Sequence, residues 1–333
     1  METVSLEPYF RQEAFPFFVF CGREFGISLG MEADMQIGII GAGKVGTTLG
    51  KYTAGHGAHV AGFYSRTESS GRESAEFTGT NYFKTLDSLL EVSDTLFITT
   101  TDGEIPKVWD CIAGKNVKGK VICHFSGSLS SDIFSNWERT GAYVCSIHPI
   151  YAFSDKFTAY QNLTSAAFAV EGSRTALARM QELFVLLPNQ VVEISTREKV
   201  KYHAATSIAS NQVVGLLSMA VELMKEAGIS EISAYGLLKP LVENNVRSVF
   251  EKEMQPEGPS GTRQEAGYRG CAQALTGPIE RNDIQTVQTH LKHLGRPEWE
   301  ASYRAVGAVV TELAQKKHPG RSYGTMKQLL ESK

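Results

Sequence analysis

Residues 36–46 read QIGIIGAGKVG, from Gln36 to Gly46. The run Gln36–Ile40 has the length and apolar character of a buried strand. It passes straight into Gly41-Ala42-Gly43-Lys44-Val45-Gly46, and a helical pattern continues to about His56. A second apolar strand is expected at His59–Tyr64. A glycine-rich turn between a strand and a helix, inside such a unit, is the arrangement that seats a dinucleotide. Gly41 allows the tight turn, Gly43 lets the backbone approach a pyrophosphate, and Gly46 lets the helix pack closely on the sheet. At Lys44 and Val45 the helix start presents N–H groups and its positive dipole end to the phosphates.

Working outward, the alternation persists. Strands are expected at 95–100, 120–124, 144–147, 166–170 and 191–194. Between the first of these and His59–Tyr64 the pattern gives a loop at Ser69, Ser70 and Gly71, a short helix at 72–78, and another at 86–92; a further helix is expected at 105–113. This alternation predicts a doubly wound α/β sheet. The character changes at Ser195-Thr196-Arg197-Glu198, which has the form of a capping box. A helical pattern of about 32 residues, roughly 48 Å, then runs to Ala227, with Gly228 placed to end it. Helices are expected at 232–250, 265–275, 283–294 and 298–315, with Pro240 bending or interrupting the first. Asn282 is expected to cap the third, and Glu257–Gly261 reads as a loop. The fold class is therefore α/β, a doubly wound sheet over 35–194, followed by an all-α domain over 195–333. So long a helix lacks cover within one small domain, which predicts pairing as a homodimer.

The chain has 333 residues, a span of about two domains at roughly 150 residues each. A net charge of −3 gives no basic footprint, so no nucleic-acid partner is expected. The longest apolar runs fall short of the ~20 residues of a bilayer span, so no membrane role is expected. Five cysteines, Cys21, Cys111, Cys123, Cys145 and Cys271, include no CxxC pair. Neither a disulfide framework nor a zinc site follows from them, and a cytoplasmic setting is expected. His290 and His293 lack a carboxylate at ligand spacing, so no metal site is expected. Residues 1–34 hold no sustained period, and a poorly ordered lead from an early translation start is expected there.

The second strand ends in Ser65-Arg66-Thr67, where an NAD site would place an acidic residue. A hydroxyl and a guanidinium suit a 2′-phosphate instead, so the cofactor expected is NADP(H). Thr99-Thr100-Thr101-Asp102 closes the third long strand at the sheet's carboxyl edge, which adds Thr100 and Asp102 to the cofactor side. Asp102 reads as an N-cap for the next helix, with a place near the nicotinamide as the alternative.

His124-Phe125-Ser126-Gly127-Ser128 and His148-Pro149-Ile150 each follow a strand. Ser126 and His148 are candidate substrate-binding residues at these ends. The long helix carries Lys199, His203, Ser207, Ser210 and Asn211 along one side. A reductase needs a proton donor where negative charge develops and hydrogen bonds that orient the reacting group. Lys199 or His203 would donate, Asn211 would orient, and Ser207 would bind substrate.

The segments GAGKVG (41–46), HFSGS (124–128), HPIYAF (148–153), KVKYHAATSIASN (199–211) and ALTGPIERND (274–283) together give the chain a resemblance. It resembles the bacterial Rossmann-like proteins with a C-terminal domain of unknown function, within the 6-phosphogluconate dehydrogenase-like superfamily. The resemblance implies an NADP-dependent oxidoreductase, dimeric through its helical domain, and some members are similar to an alternative ketopantoate reductase. In that superfamily a lysine near the start of the long helix often donates the proton, with asparagine one turn on. Lys199 stands in the lysine's position and His203 in the asparagine's, and Asn282 stands where glycine is expected. The reading is an NADPH-dependent reductase of a small oxo-acid, ketopantoate first. An imine reductase acting on a pyrroline carboxylate is the alternative within that class, and a non-catalytic NADP(H)-binding sensor is the alternative outside it.

Overall fold

The computed structural model describes residues 35–253 and 269–332. The proposed lead at 1–34 with Cys21, the Glu257–Gly261 loop and the 265–268 start of a helix lie outside the described residues. The chain divides into two compact units between Ile208 and Ala209.

The first unit is an eight-stranded sheet in the order β3-β2-β1-β4-β5-β6-β7-β8. Its strands are β1 (Gln36–Ile40), β2 (His59–Tyr64), β3 (Asn81–Tyr82), β4 (Thr95–Ile98), β5 (Val121–His124), β6 (Tyr143–Ile150), β7 (Ala167–Gly172) and β8 (Gln190–Glu193). All neighbours pair in parallel except β6 with β7. The helices are α1 (Lys44–Gly55), α2 (Glu68–Thr78), α3 (Leu86–Val92), α4 (Ile105–Ala113), α5 (Trp137–Thr140), α6 (Arg174–Leu186) and α7 (Lys199–Ser207).

Both faces of the sheet are covered, because successive side chains point to opposite sides. Ile37 and Ile39 join one core cluster and Ile40 the other. Likewise Val121 and Cys123 separate from Ile122, and Cys145 and Ile147 from Val144. The resulting near-continuous apolar runs are what made these strands legible.

The structure corrects several expectations. Ser69, Ser70 and Gly71 lie inside α2 and not in a loop. Gly71 is buried there against Tyr82, where a Cβ would come within 2.5 Å of the ring. The capping box does not form: Ser195 makes no side-chain cap, and residues 196–198 are a 3-10 turn. Thr196 instead donates its hydroxyl to Glu171 Oε2 at 2.9 Å. Helix α6, capped by Ser173 with Ala176, Met180 and Leu183 buried at helical spacing, is not among the expected elements, nor is the two-residue β3.

After a π-helical segment at Ile208–Gln212, the second unit holds α8 (Val213–Glu226), α9 (Glu231–Glu253), α10 (Arg269–Ala274), α11 (Ile284–His293), α12 (Pro297–Lys317) and α13 (Gly324–Glu331). Val287, Leu291, Ala314, Met326 and Leu330 form its core. Pro240 lies inside α9 without ending it. It and Gly236 are exposed, so the carbonyl that the proline leaves unpaired can face water. Asp283, and not Asn282, caps α11, its carboxylate accepting the Thr286 N–H at 3.1 Å. Asn282 takes φ 61°, a left-handed conformation in which glycine would be free of strain.

The helical stretch Thr196–Glu226 is long and apolar enough, by length and composition alone, to cross a bilayer. Its apolar window is only 6% buried. Helix α9 likewise leaves Ile232, Tyr235, Leu237, Leu241 and Phe250 exposed.

Candidate active site

The glycine loop follows β1 at the carboxyl edge of the sheet. Gly41 has φ +111°, and its N–H donates to the Tyr64 carbonyl at 2.8 Å. A Cβ on Gly46 would fall 2.3 Å from the Gly41 carbonyl oxygen and 2.4 Å from Thr99 Oγ1. Around Gly43, by contrast, nothing lies within 4 Å of where a Cβ would stand. Two glycines are thus held by packing, and the middle one faces open space. No side chain caps the start of α1, where Lys44 is exposed and Val45 packs against the core. Thr100, just past β4, has a buried hydroxyl without a hydrogen-bond partner. An open glycine, an uncapped helix start and an orphaned hydroxyl on one edge fit a dinucleotide phosphate group.

At the end of β2, Ser65 is half-buried and Arg66 is exposed. The Arg66 guanidinium pairs with Glu104 at 2.7 Å, and the same carboxylate takes Lys107 at 2.7 Å. Asp102 makes no cap. It opens a 3-10 turn, and its carboxylate accepts the Ser128 hydroxyl at 2.7 Å. The residue first read as a helix cap therefore fastens the loop that follows β5.

That loop is organised by His124 at its base. The fully buried imidazole accepts the Ser126 N–H at Nδ1 and lies 3.2 Å from the Ser130 carbonyl through Nε2. This pairing assigns the proton to Nε2. Burial, followed by the Lys199 charge, holds its pKa down to about 4, so the ring is neutral. Ser126 is committed to the loop as well, its hydroxyl oxygen accepting the N–H of Ser128 and of Leu129.

Above this loop stand three rings. His148, near the carboxyl end of β6, shares a 2.7 Å hydrogen bond between Nδ1 and the Tyr202 hydroxyl. The His148 and His203 rings meet edge to face at 5.9 Å between centroids. Both close over Gly127, where a Cβ would lie 2.5 Å from His203 Cδ2 and 2.7 Å from His148 Nε2. Only glycine fits beneath them. Burial, then the charges of Lys199 and His203, push the His148 pKa down to about 4. Burial raises that of Tyr202 to about 12.

Lys199 lies fully buried at the start of α7. Its ammonium donates to Ser146 Oγ and sits 3.4 Å from Glu171 Oε1. Burial lowers its pKa, and Glu171 opposes that shift. Glu171 also accepts the Ser131 N–H at 2.9 Å and the Ser131 hydroxyl at 2.7 Å. Ser207 closes α7. Asn211, exposed in the π-helical segment, belongs to the second unit and accepts from the Ser210 hydroxyl at 3.0 Å. Sequence reasoning missed Tyr202, Glu171 and Ser146. The available signal was the acid inside the otherwise apolar strand AFAVEG and a tyrosine next to His203. Among the described residues no cluster of His, Cys, Asp or Glu could hold a metal ion.

Residues 28–149 match the Rossmann-like domain family, and residues 166–310 match the domain of unknown function DUF2520. No curated protein matches the chain. Among solved structures, a Bacteroides fragilis protein provisionally named as an NADP oxidoreductase is 22% identical, with a TM-score of 0.63 over 84% of this chain and 99% of that one. An imine reductase from Pseudomonas sp. is 12% identical, with a TM-score of 0.58 over 84% and 97%. The pyrroline carboxylate reductase of Plasmodium falciparum with NADP bound is 13% identical, with a TM-score of 0.52 over 91% and 100%. At these identities the likeness establishes a shared fold.

Proposed function

We propose that this chain, a Rossmann-like domain joined to a DUF2520 domain, is an NADPH-dependent reductase of a small oxo- or imino-acid. The observation that carries the reading is one sheet edge that bears both the glycine cradle and, at Gly127, a pocket floor closed over by His203 of α7 and by His148, which is hydrogen-bonded to Tyr202. Gly41, Gly43 and Gly46, with the start of α1 at Lys44 and Val45, hold the pyrophosphate. Ser65 and Arg66 take the 2′-phosphate, whose charge competes with Glu104 for the guanidinium. Thr100 supplies its orphaned hydroxyl, and Asp102 orients the facing loop through Ser128. When bound, NADPH supplies a hydride to the substrate carbon.

The chain's own residues bind the substrate and manage its proton. His203 and His148 line the Gly127 floor. With two of its three ammonium hydrogens directed to Ser146 and Glu171 and its side chain fully buried, Lys199 sets the local charge. The imine reductase and the pyrroline carboxylate reductase among the relatives in fold keep a pyrroline carboxylate-like substrate open beside an oxo-acid. Ketopantoate rests on the family resemblance. The exposed apolar residues of α8 and α9 support a homodimer through the helical unit.

The test is NADPH oxidation against a panel led by 2-dehydropantoate and 1-pyrroline-5-carboxylate, beside an NADPH titration. Saturable oxidation with one panel member is the expected result. Tight NADPH binding with no turnover on either class would favour a sensor.

A further inference from the structure

We propose that His148 and Tyr202 form a proton relay that delivers a proton to a carbonyl oxygen, with Tyr202 as its source. The inference rests on the reductase reading and deepens it by naming the group that receives the proton.

The geometry carries it. The Tyr202 hydroxyl and His148 Nδ1 are 2.7 Å apart, although 54 positions separate the residues in sequence. The rings are held edge to face, 5.7 Å between centroids at 82°. With Nδ1 accepting from the phenol, the ring proton stands on Nε2. That nitrogen is the atom against Gly127, 2.7 Å from where a Cβ would sit. The close approach leaves the Nε2 side of His148 bounded by glycine and by His203.

The alternative donors are less suited. His124 spends both ring nitrogens on its own loop, and Lys199 spends its ammonium on Ser146 and Glu171. The relay works with both groups uncharged, which their surroundings favour: burial and the Lys199 charge keep His148 neutral, and burial keeps the Tyr202 phenol protonated.

The step balances. A carbonyl carbon that accepts a hydride releases its π electron pair to oxygen. That oxygen takes the Nε2 proton, Nδ1 takes the phenol proton, and a tyrosinate remains. A solvent proton then adds at Nε2 while the Nδ1 proton returns to the tyrosinate, which restores both the phenol and the first tautomer of the imidazole. A protonated imine that accepts a hydride becomes a neutral amine and needs no such proton. The relay therefore suits a carbonyl; an imine would call on it only if bound unprotonated.

The experiment has two arms. Nitrogen NMR of the full chain labelled at histidine reads the His148 tautomer in wild type and in Tyr202→Phe. The expected wild-type result is a protonated Nε2 and a hydrogen-bonded, unprotonated Nδ1, with the Nδ1 shift moving in the variant. A protonated Nδ1 in wild type would overturn the relay whatever the activity. The second arm measures 2-dehydropantoate and 1-pyrroline-5-carboxylate reduction together with NADPH affinity. Wild-type turnover of the oxo-acid with a roughly 10- to 100-fold loss of kcat in Tyr202→Phe, and NADPH affinity unchanged, supports the relay. Oxo-acid turnover within twofold of wild type in that variant overturns it, and so does wild-type reduction of the imine alone, which leaves the reductase reading standing. Reduction of neither substrate class by wild type sinks the reductase reading as well, and NADPH affinity then separates a sensor from a chain that binds no cofactor.

Discussion

Replacing Glu171 with glutamine tests whether the Lys199–Glu171 contact is a true buried ion pair. The side chains are 0% and 1% exposed, 3.4 Å apart. Glutamine keeps the shape, and the Ser131 and Thr196 hydroxyls can turn to accept from its amide. What it cannot replace is the negative charge. A buried ammonium left without its counter-charge costs about 3–5 kcal/mol. With an urea m-value of about 3 kcal/mol/M, the midpoint should fall by roughly 1–2 M at pH 7. Trp109, buried in the same unit, is the fluorescence probe. Burial already lowers the Lys199 pKa, and loss of Glu171 lowers it further. A lysine whose folded pKa lies below its unfolded value, about 10.4, gives a folded state that gains stability as pH rises between the two. The deficit of the variant should therefore shrink from pH 7 to pH 9.5. Adding Lys199→Met should recover most of it at pH 7. A variant within 1 kcal/mol of wild type at pH 7, or one whose deficit does not change with pH, would refute the reasoning.

Three other outcomes are expected. Arg66→Asp should weaken NADPH by about ten- to a hundredfold, the worth of a charged hydrogen bond, and NADH far less; fluorescence titration with both cofactors checks this. Gly127→Ala forces the His148 and His203 rings aside, and a shift of about 1 Å should cost near a hundredfold in kcat while NADPH affinity holds. Because His148 is held near pKa 4 by burial, Lys199 and His203, with Asp102 opposing, the acid limb of kcat/KM should fall below about pH 5, away from the ordinary histidine value near 6.5; a pH–rate profile decides it.

The sheet was legible because its strands are buried on both faces, so Ile37–Ile40, Leu96–Ile98 and Val121–Cys123 read as unbroken apolar runs. The glycine loop was legible for a different reason: within six residues Gly41 and Gly46 answer separate steric demands, and Gly43 between them leaves the loop open. The capping box misled because tertiary context overrode a local signal, and of the two effects expected of Pro240, interruption of the helix does not occur. Thr196 found a better partner in Glu171, and solvent around Gly236 tolerates the proline. The candidate site was half legible. His148 and His203 drew notice as unusual residues at a strand end and on a helix, but Tyr202 was one aromatic among many. Its role depends on a hydrogen bond across 54 positions, which no local pattern encodes. Asp102 was misplaced for the same reason, since its partner Ser128 lies on another strand's loop.

The Glu171 carboxylate gathers donors from three separate segments: the Ser131 turn, Thr196 ahead of α7, and Lys199 within it. One end of the loop beneath the His148 and His203 rings is thereby pinned to the sheet and to the helix start at once. Toward the β5 end, Ser128 is tied to another segment through its exposed bond to Asp102, and within the loop its N–H and hydroxyl meet the Ser126 hydroxyl. Ser131, held in a buried network, is the firmer anchor, and the exposed Ser128–Asp102 bond is the looser latch. Movement that admits a ligand should begin at the latch, and amide exchange should be faster at Ser128 than at Ser131.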